Sequence, residues 1–164
     1  MVNKITLLIP IIISSIVIGI LGLVFVPSDI KNRNLDFSMG TIKIDNKIFH
    51  VEIADSNDER QRWLMFRDEK ISPNSGLLLV YDKPDLYSMW LLNIRYPLDL
   101  LWFDEQGNLV YSVKGAQPCN NVLDFSTCTF KNTKPSKFVL AANAGFINQN
   151  NMTNNASKLE ILSI

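Results

Sequence analysis

The sequence predicts a mainly β fold: a compact antiparallel β-sandwich or barrel-like domain with one short helix, preceded by a single N-terminal transmembrane helix. Three observations carry this. Between residues 41 and 164, about eight short runs rich in Val, Ile, Leu, Tyr and Phe are separated by Gly, Pro, Asn and Asp clusters, the spacing of an all-β domain. Strand patterns do not alternate with helical ones, so no βαβ unit is expected. Ahead of them lies one long uncharged run, Ile5–Val26. The chain of 164 residues divides accordingly into an anchor (1–28), a tether (29–40) and one β-rich domain (41–164).

Ile5–Val26 holds only Thr6, Ser14 and Ser15 as polar residues. As a helix its 22 residues would be roughly 33 Å long, enough to span a hydrocarbon core of about 30 Å. Pro10 near one end is tolerable in a membrane helix. A cleaved signal peptide is the rival reading. Its apolar region should be shorter and end in small residues, whereas Leu23-Val24-Phe25-Val26-Pro27 offers no such site. The lipid bilayer is therefore the expected partner of residues 5–26. Flanking charge does not orient the helix, because Lys4 faces Lys31 and Arg33. Three other features favour a cell-membrane protein with its C-terminal domain outside the cytoplasm: the single cysteine pair Cys119 and Cys128, the sequons starting at Asn151 and Asn155, and the short polar tether.

Thr41–Ile53 reads as two strands about an Asp45-Asn46 turn. Phe49, Val51 and Ile53 share the core face, and Ile48, His50 and Glu52 the wetter one. Ser56-Asn57-Asp58-Glu59 is a capping box, which predicts a helix over about 57–66 with Trp63, Met65 and Phe66 on its apolar side. After the Ser72–Gly76 turn cluster, Leu77–Tyr81 is a strand buried on both faces. Tyr87–Leu92 is the next strand. Asn93–Pro97 is a bend, since Pro97 disfavours helix at Tyr96. Leu98–Phe103 and Leu109–Val113 pair about the Asp104–Asn108 hairpin loop. Lys114–Ser136 is a long loop, to be pinned by a Cys119–Cys128 disulfide. Lys137–Ala142 and Lys158–Ile164 are the last strands, with a polar Asn-rich loop between them.

Lys and Arg balance Asp and Glu at 16 each, and no basic cluster points to nucleic acid. His50 is the only histidine, so neither a metal site nor a histidine-based nucleophile system is expected, and no cofactor motif is present.

Several stretches taken together carry a family likeness. Trp63-Leu64-Met65-Phe66-Arg67, Gly76-Leu77-Leu78-Leu79-Val80, Trp90, Asn93, Pro97-Leu98-Asp99, the Gly107 hairpin and Pro118-Cys119…Cys128 resemble domain-of-unknown-function family 192 over about residues 51–164. The resemblance implies a compact, mainly β domain, exported or anchored, with no established biochemical role. This chain departs from the family pattern with Trp63 for a glycine, Leu92 for a lysine and Ile94 for a threonine. A function resting on that lysine would be lost here unless Arg95 carries it.

Arg67, Trp90, Asn93, Arg95 and Asp99 form the best polar constellation for a ligand. An arginine, an amide and a carboxylate beside an indole suit a small ligand, a glycan or an envelope protein. The structural alternative has Asn93 in a turn and Asp99 paired with Arg67 or Arg95. The leading functional expectation is a non-catalytic binding module, with no catalytic residue assigned. The alternatives are a cell-surface carbohydrate-active enzyme using Asp99 with a second acid, and a structural or assembly partner of other membrane proteins.

Overall fold

The computed structural model describes residues 4–24, 36–119 and 122–164. The chain divides between Asn34 and Leu35 into two units. The described part of the first is α1, Lys4–Val24, 21 residues with Pro10 inside. Among the described residues, no helix is long and apolar enough to cross a membrane. The transmembrane expectation therefore gains no support from that quarter and rests on the uncharged sequence of 5–26. Residues 29–35 of the expected tether lie outside the described residues, and residues 38–40 already belong to a strand.

Among the described residues of the second unit, nine strands follow: β1 Ser38–Ile44, β2 Lys47–Ala54, β3 Leu77–Asp85, β4 Ser88–Trp90, β5 Leu98–Phe103, β6 Leu109–Ala116, β7 Thr129–Lys131, β8 Ser136–Asn143 and β9 Leu159–Ser163. Two short helices join them, α2 Asn57–Arg62 and α3 Phe146–Gln149, with a 3₁₀ segment Val122–Thr127. Seven strands form one sheet in the order β6-β5-β8-β3-β2-β1-β9; β4 and β7 form a separate ladder.

The sheet is a curled half-barrel, so of the two expected forms the barrel-like one holds and the sandwich does not. Its outer strands touch at one corner. Leu159 N–H donates to Gly107 O at 2.7 Å, Leu109 N–H donates to Ser157 O at 2.9 Å, and Asn108 bridges Lys158. Gly107 permits this approach: it sits at φ +82°, and a Cβ there would lie 2.1 Å from Leu159 O.

The antiparallel expectation also needs correction. β2 and β3 pair in parallel, Glu52 opposite Leu77 and Ala54 opposite Leu79. A parallel pair needs a crossover of a dozen or more residues, and residues 55–76 with α2 supply it. The capping box forms as the sequence predicts, with Glu59 N–H on Ser56 Oγ and Ser56 N–H on Glu59 Oε2. The helix stops at Arg62, short of residue 66, because Trp63 takes φ 26° and turns its indole into the core at 5% exposure.

Two apolar clusters cover the central strands. Leu77, Leu79, Leu98, Leu100 and Trp102 belong to one, with Trp63, Leu64 and Ile94. Leu78, Leu101 and Phe103 belong to the other, with Phe49, Val51, Ile53, Phe146 and Leu159. Alternate residues of one strand thus enter different clusters, and every residue of β5 is buried. The one-face expectation for β2 holds: Phe49, Val51 and Ile53 are buried and Ile48 is exposed.

Candidate functional site

The five residues that the sequence suggested as a cluster take different partners, although residues 66–68 and 93–95 lie side by side. Arg67 grips Glu52 with both guanidinium nitrogens, at 2.5 and 2.8 Å. Arg95 is exposed and pairs with Asp68 at 2.8 Å. Asn93 sits at φ 58° and its carbonyl accepts the Phe66 N–H at 2.9 Å. This is the turn role of an asparagine that tolerates left-handed backbone. Trp90 lies in β4, with its ring 6.0 Å from Phe125 and edge-on to it. Its Nε1 is buried with no acceptor among the described residues.

Asp99 pairs with neither arginine. It is 1% exposed, and its two oxygens accept from three backbone donors: Gly115 N at 2.8 Å, Gly145 N at 3.1 Å and Ile147 N at 2.8 Å. A buried carboxylate must be satisfied or it is very costly; here main-chain amides do it. Asp99 therefore clasps the end of β6 and the start of α3 onto β5.

The loop over β4 is held as expected. Cys119 and Cys128 form a disulfide with Cα atoms 5.5 Å apart. Leu91 links both arms, its N–H donating to Cys128 O and its carbonyl accepting from Cys119 N–H. His50 is exposed and lies 3.3 Å from Thr41 Oγ1. Asn151 and Asn155 are exposed turn residues. Thr153 of the first sequon is exposed, whereas Ser157 of the second is buried and accepts the Thr153 N–H. Among the described residues, no group of three or more His, Cys, Asp or Glu could hold a metal ion.

Above the Asp99 clasp, at the Asn93–Pro97 bend, a cleft of about 330 Å³ opens between Lys70, Tyr96, Pro97, Asn143, Phe146 and Gln149. Asn143 donates its amide N–H to Ile71 O, which fixes the amide orientation. Its Oδ1 is then a buried acceptor with no donor among the described residues. Tyr96 donates its hydroxyl to Glu69 O at 3.1 Å. Burial pushes the Tyr96 phenol above its usual range, with Arg67 pulling against it, so it is a neutral donor at physiological pH. The bend and Asp99 were legible from Pro97 and the polar sequence pattern. Lys70, Asn143 and Gln149 were not, because they arrive from remote segments and none stands out in its own.

A profile of the DUF192 family, described as an uncharacterized ACR, matches residues 40–159. Two solved structures share the fold. A Sinorhizobium meliloti protein described as a "putative transcription regulator" is 22% identical, with a TM-score of 0.67 over 78% of this chain and 97% of that one. A protein of unknown function from Novosphingobium aromaticivorans is 21% identical, with a TM-score of 0.65 over 74% of this chain and 84% of that one. No curated protein matches.

Proposed function

The chain belongs to the DUF192 family, and on that premise we propose that it is a membrane-anchored, extracytoplasmic, non-catalytic module that binds a small polar ligand at the cleft over the bend. The carrying observation is the cleft itself, where Lys70, Tyr96, Asn143 and Gln149 from separate segments bring polar side chains to one opening. Lys70 and Tyr96 flank it and would fix the ligand's orientation. The anchor reading rests on the uncharged run Ile5–Val26, 22 residues long, which is the length a membrane helix needs. The disulfide supports the extracytoplasmic reading, since oxidising compartments preserve such bonds.

The test is thermal denaturation of the full chain in lipid nanodiscs against monosaccharides, amino acids and di- and tripeptides. A compound that raises Tm for the wild type but not for Asn143→Ala supports the reading. A panel without effect, or a shift that survives Asn143→Ala, counts against it.

The carbohydrate-active-enzyme reading has weaker support, because Asp99 is closed to solvent and its oxygens are taken. An assembly role has one specific observation in its favour: Met39, Ile48 and Leu162, on the neighbouring strands β1, β2 and β9, are each more than half exposed. Sedimentation of the chain without residues 1–28 separates the two readings: a monomer speaks against assembly through that face. A role on nucleic acid gains no support from a charge balance of 16 to 16.

A further inference from the structure

A second groove, of about 470 Å³, lies between α2 and the β3–β4 turn. Its floor is an aromatic slab: the Tyr81 and Tyr87 rings stack with centroids 3.5 Å apart and planes 12° from parallel. Tyr87 is fixed at three points. Its ring rests on Tyr81, its hydroxyl donates to Lys83 O at 2.7 Å, and its carbonyl accepts the buried Trp102 Nε1–H at 3.0 Å. The ring is still only partly buried. Since Tyr81 occupies one face, the other is the one left to a partner. Tyr81 is set in turn by Arg60, whose guanidinium lies 5.4 Å from the ring centroid. Asn57 Oδ1, Val80 O and Asp55 O hold Arg60 in place. A rigid aromatic face saves the ordering cost of binding.

The shape and the rim select among flat ligands. Two rings stacked into one slab present a single plane. They do not make the aromatic-lined groove into which a proline-rich helix docks. Gln61, Asp82 and Lys83 line the same groove, so it offers both donors and acceptors beside the rings. Arg60 and Lys83 are countered by Asp82 and by Asp85, whose charge is felt at the Tyr87 ring. A polyanion, or a nucleobase with its phosphates, would need a basic flank instead. What fits is a neutral ring with one apolar C–H face and hydroxyls around its edge.

We propose that the Tyr81–Tyr87 slab is a carbohydrate-binding platform that stacks one neutral pyranose unit of a glycan. The proposal goes beyond the cleft at the bend: different side chains line the two sites, and either can fail alone.

The test is isothermal titration of the full chain in lipid nanodiscs, free of sugar-headed detergents, with cellotetraose, chitotetraose and maltotetraose. At least one should bind at millimolar concentration or below. Tyr87→Ala should weaken it at least tenfold, equivalent to about 1.4 kcal/mol. Tyr87→Phe, which keeps the face and loses the hydroxyl, should stay within about threefold. Asn143→Ala should bind as the wild type. Gln61→Ala and Asp82→Ala, both at exposed positions, should each weaken binding and serve as the readout if Tyr87→Ala does not fold. The proposal is overturned if none of the three sugars binds at about 10 mM, or if binding is indifferent to Tyr87→Ala and to both rim variants.

Discussion

Replacing Asp99 by Asn separates a structural carboxylate from a catalytic one. Asp99 is 1% exposed and takes three main-chain N–H groups, one on Oδ1 and two on Oδ2. The amide of Asn retains one oxygen. Its best orientation keeps the pair from Gly145 and Ile147 and turns NH₂ toward Gly115 N–H, donor against donor. One charge-assisted hydrogen bond, worth about 1.5–3 kcal/mol, is lost, and a buried N–H is left without an acceptor. The two surviving bonds also lose their charge. A loss of about 2–4 kcal/mol follows, a large share of the 5–15 kcal/mol typical of a domain. With a urea m-value of about 2 kcal/mol/M, the middle of the usual range, the unfolding midpoint should fall by roughly 1–2 M. The assay is urea denaturation of residues 29–164, followed by near-UV circular dichroism. A change below about 0.5 kcal/mol, the size of an ordinary surface substitution, would refute the clasp. It would also restore Asp99 as a candidate for chemistry.

Four further outcomes are expected. Gly107→Ala should destabilise the domain by more than about 2 kcal/mol, since it combines a left-handed φ with a Cβ 2.1 Å from Leu159 O; Gly115→Ala, at φ +60° in open space, should cost only about 1–2 kcal/mol, and equal losses in thermal unfolding would sink the corner contact. Thiol labelling without reductant should leave Cys119 and Cys128 unmodified, and reduction should lower stability by roughly 2–3 kcal/mol through loop-closure entropy; rapid labelling of untreated protein contradicts both the bridge and the outside orientation. Burial pushes the Tyr81 phenol up to about 12, against about 10 in an unfolded chain, so the unfolded state ionises first and the Tyr81 contribution to stability should be level below pH 10 and fall between pH 10 and 12; Tyr81→Phe should remove that part of the decline, and an unchanged pH profile would count against it. Deleting residues 1–28 should leave a folded, soluble domain, as two apolar clusters close within the second unit; aggregation would show that α1 covers part of it.

Sequence alone determined the local features of this protein. Ser56 and Glu59 satisfy each other's backbone within one helical turn, the alternation of Phe49, Val51 and Ile53 follows from the period of a strand, and Pro97 constrains its neighbour. Each depends on residues a few positions apart, so each was legible. The apolar character of Ile5–Val26 was equally plain, although what surrounds it is a matter of the proposed anchor.

Tertiary structure decided how these pieces meet. The parallel β2–β3 pair depends on where a 22-residue crossover returns, which no local pattern encodes. The half-barrel corner depends on Gly107 meeting Leu159, 52 positions away. The site changed most. Arg67 and Asp99 looked like partners because both are charged and near one bend. Glu52 lies across the parallel pair and takes Arg67, while three amides from two other segments take Asp99. Charge marks a residue as needing a partner; only the fold sets which groups come within the roughly 3 Å at which that need is met.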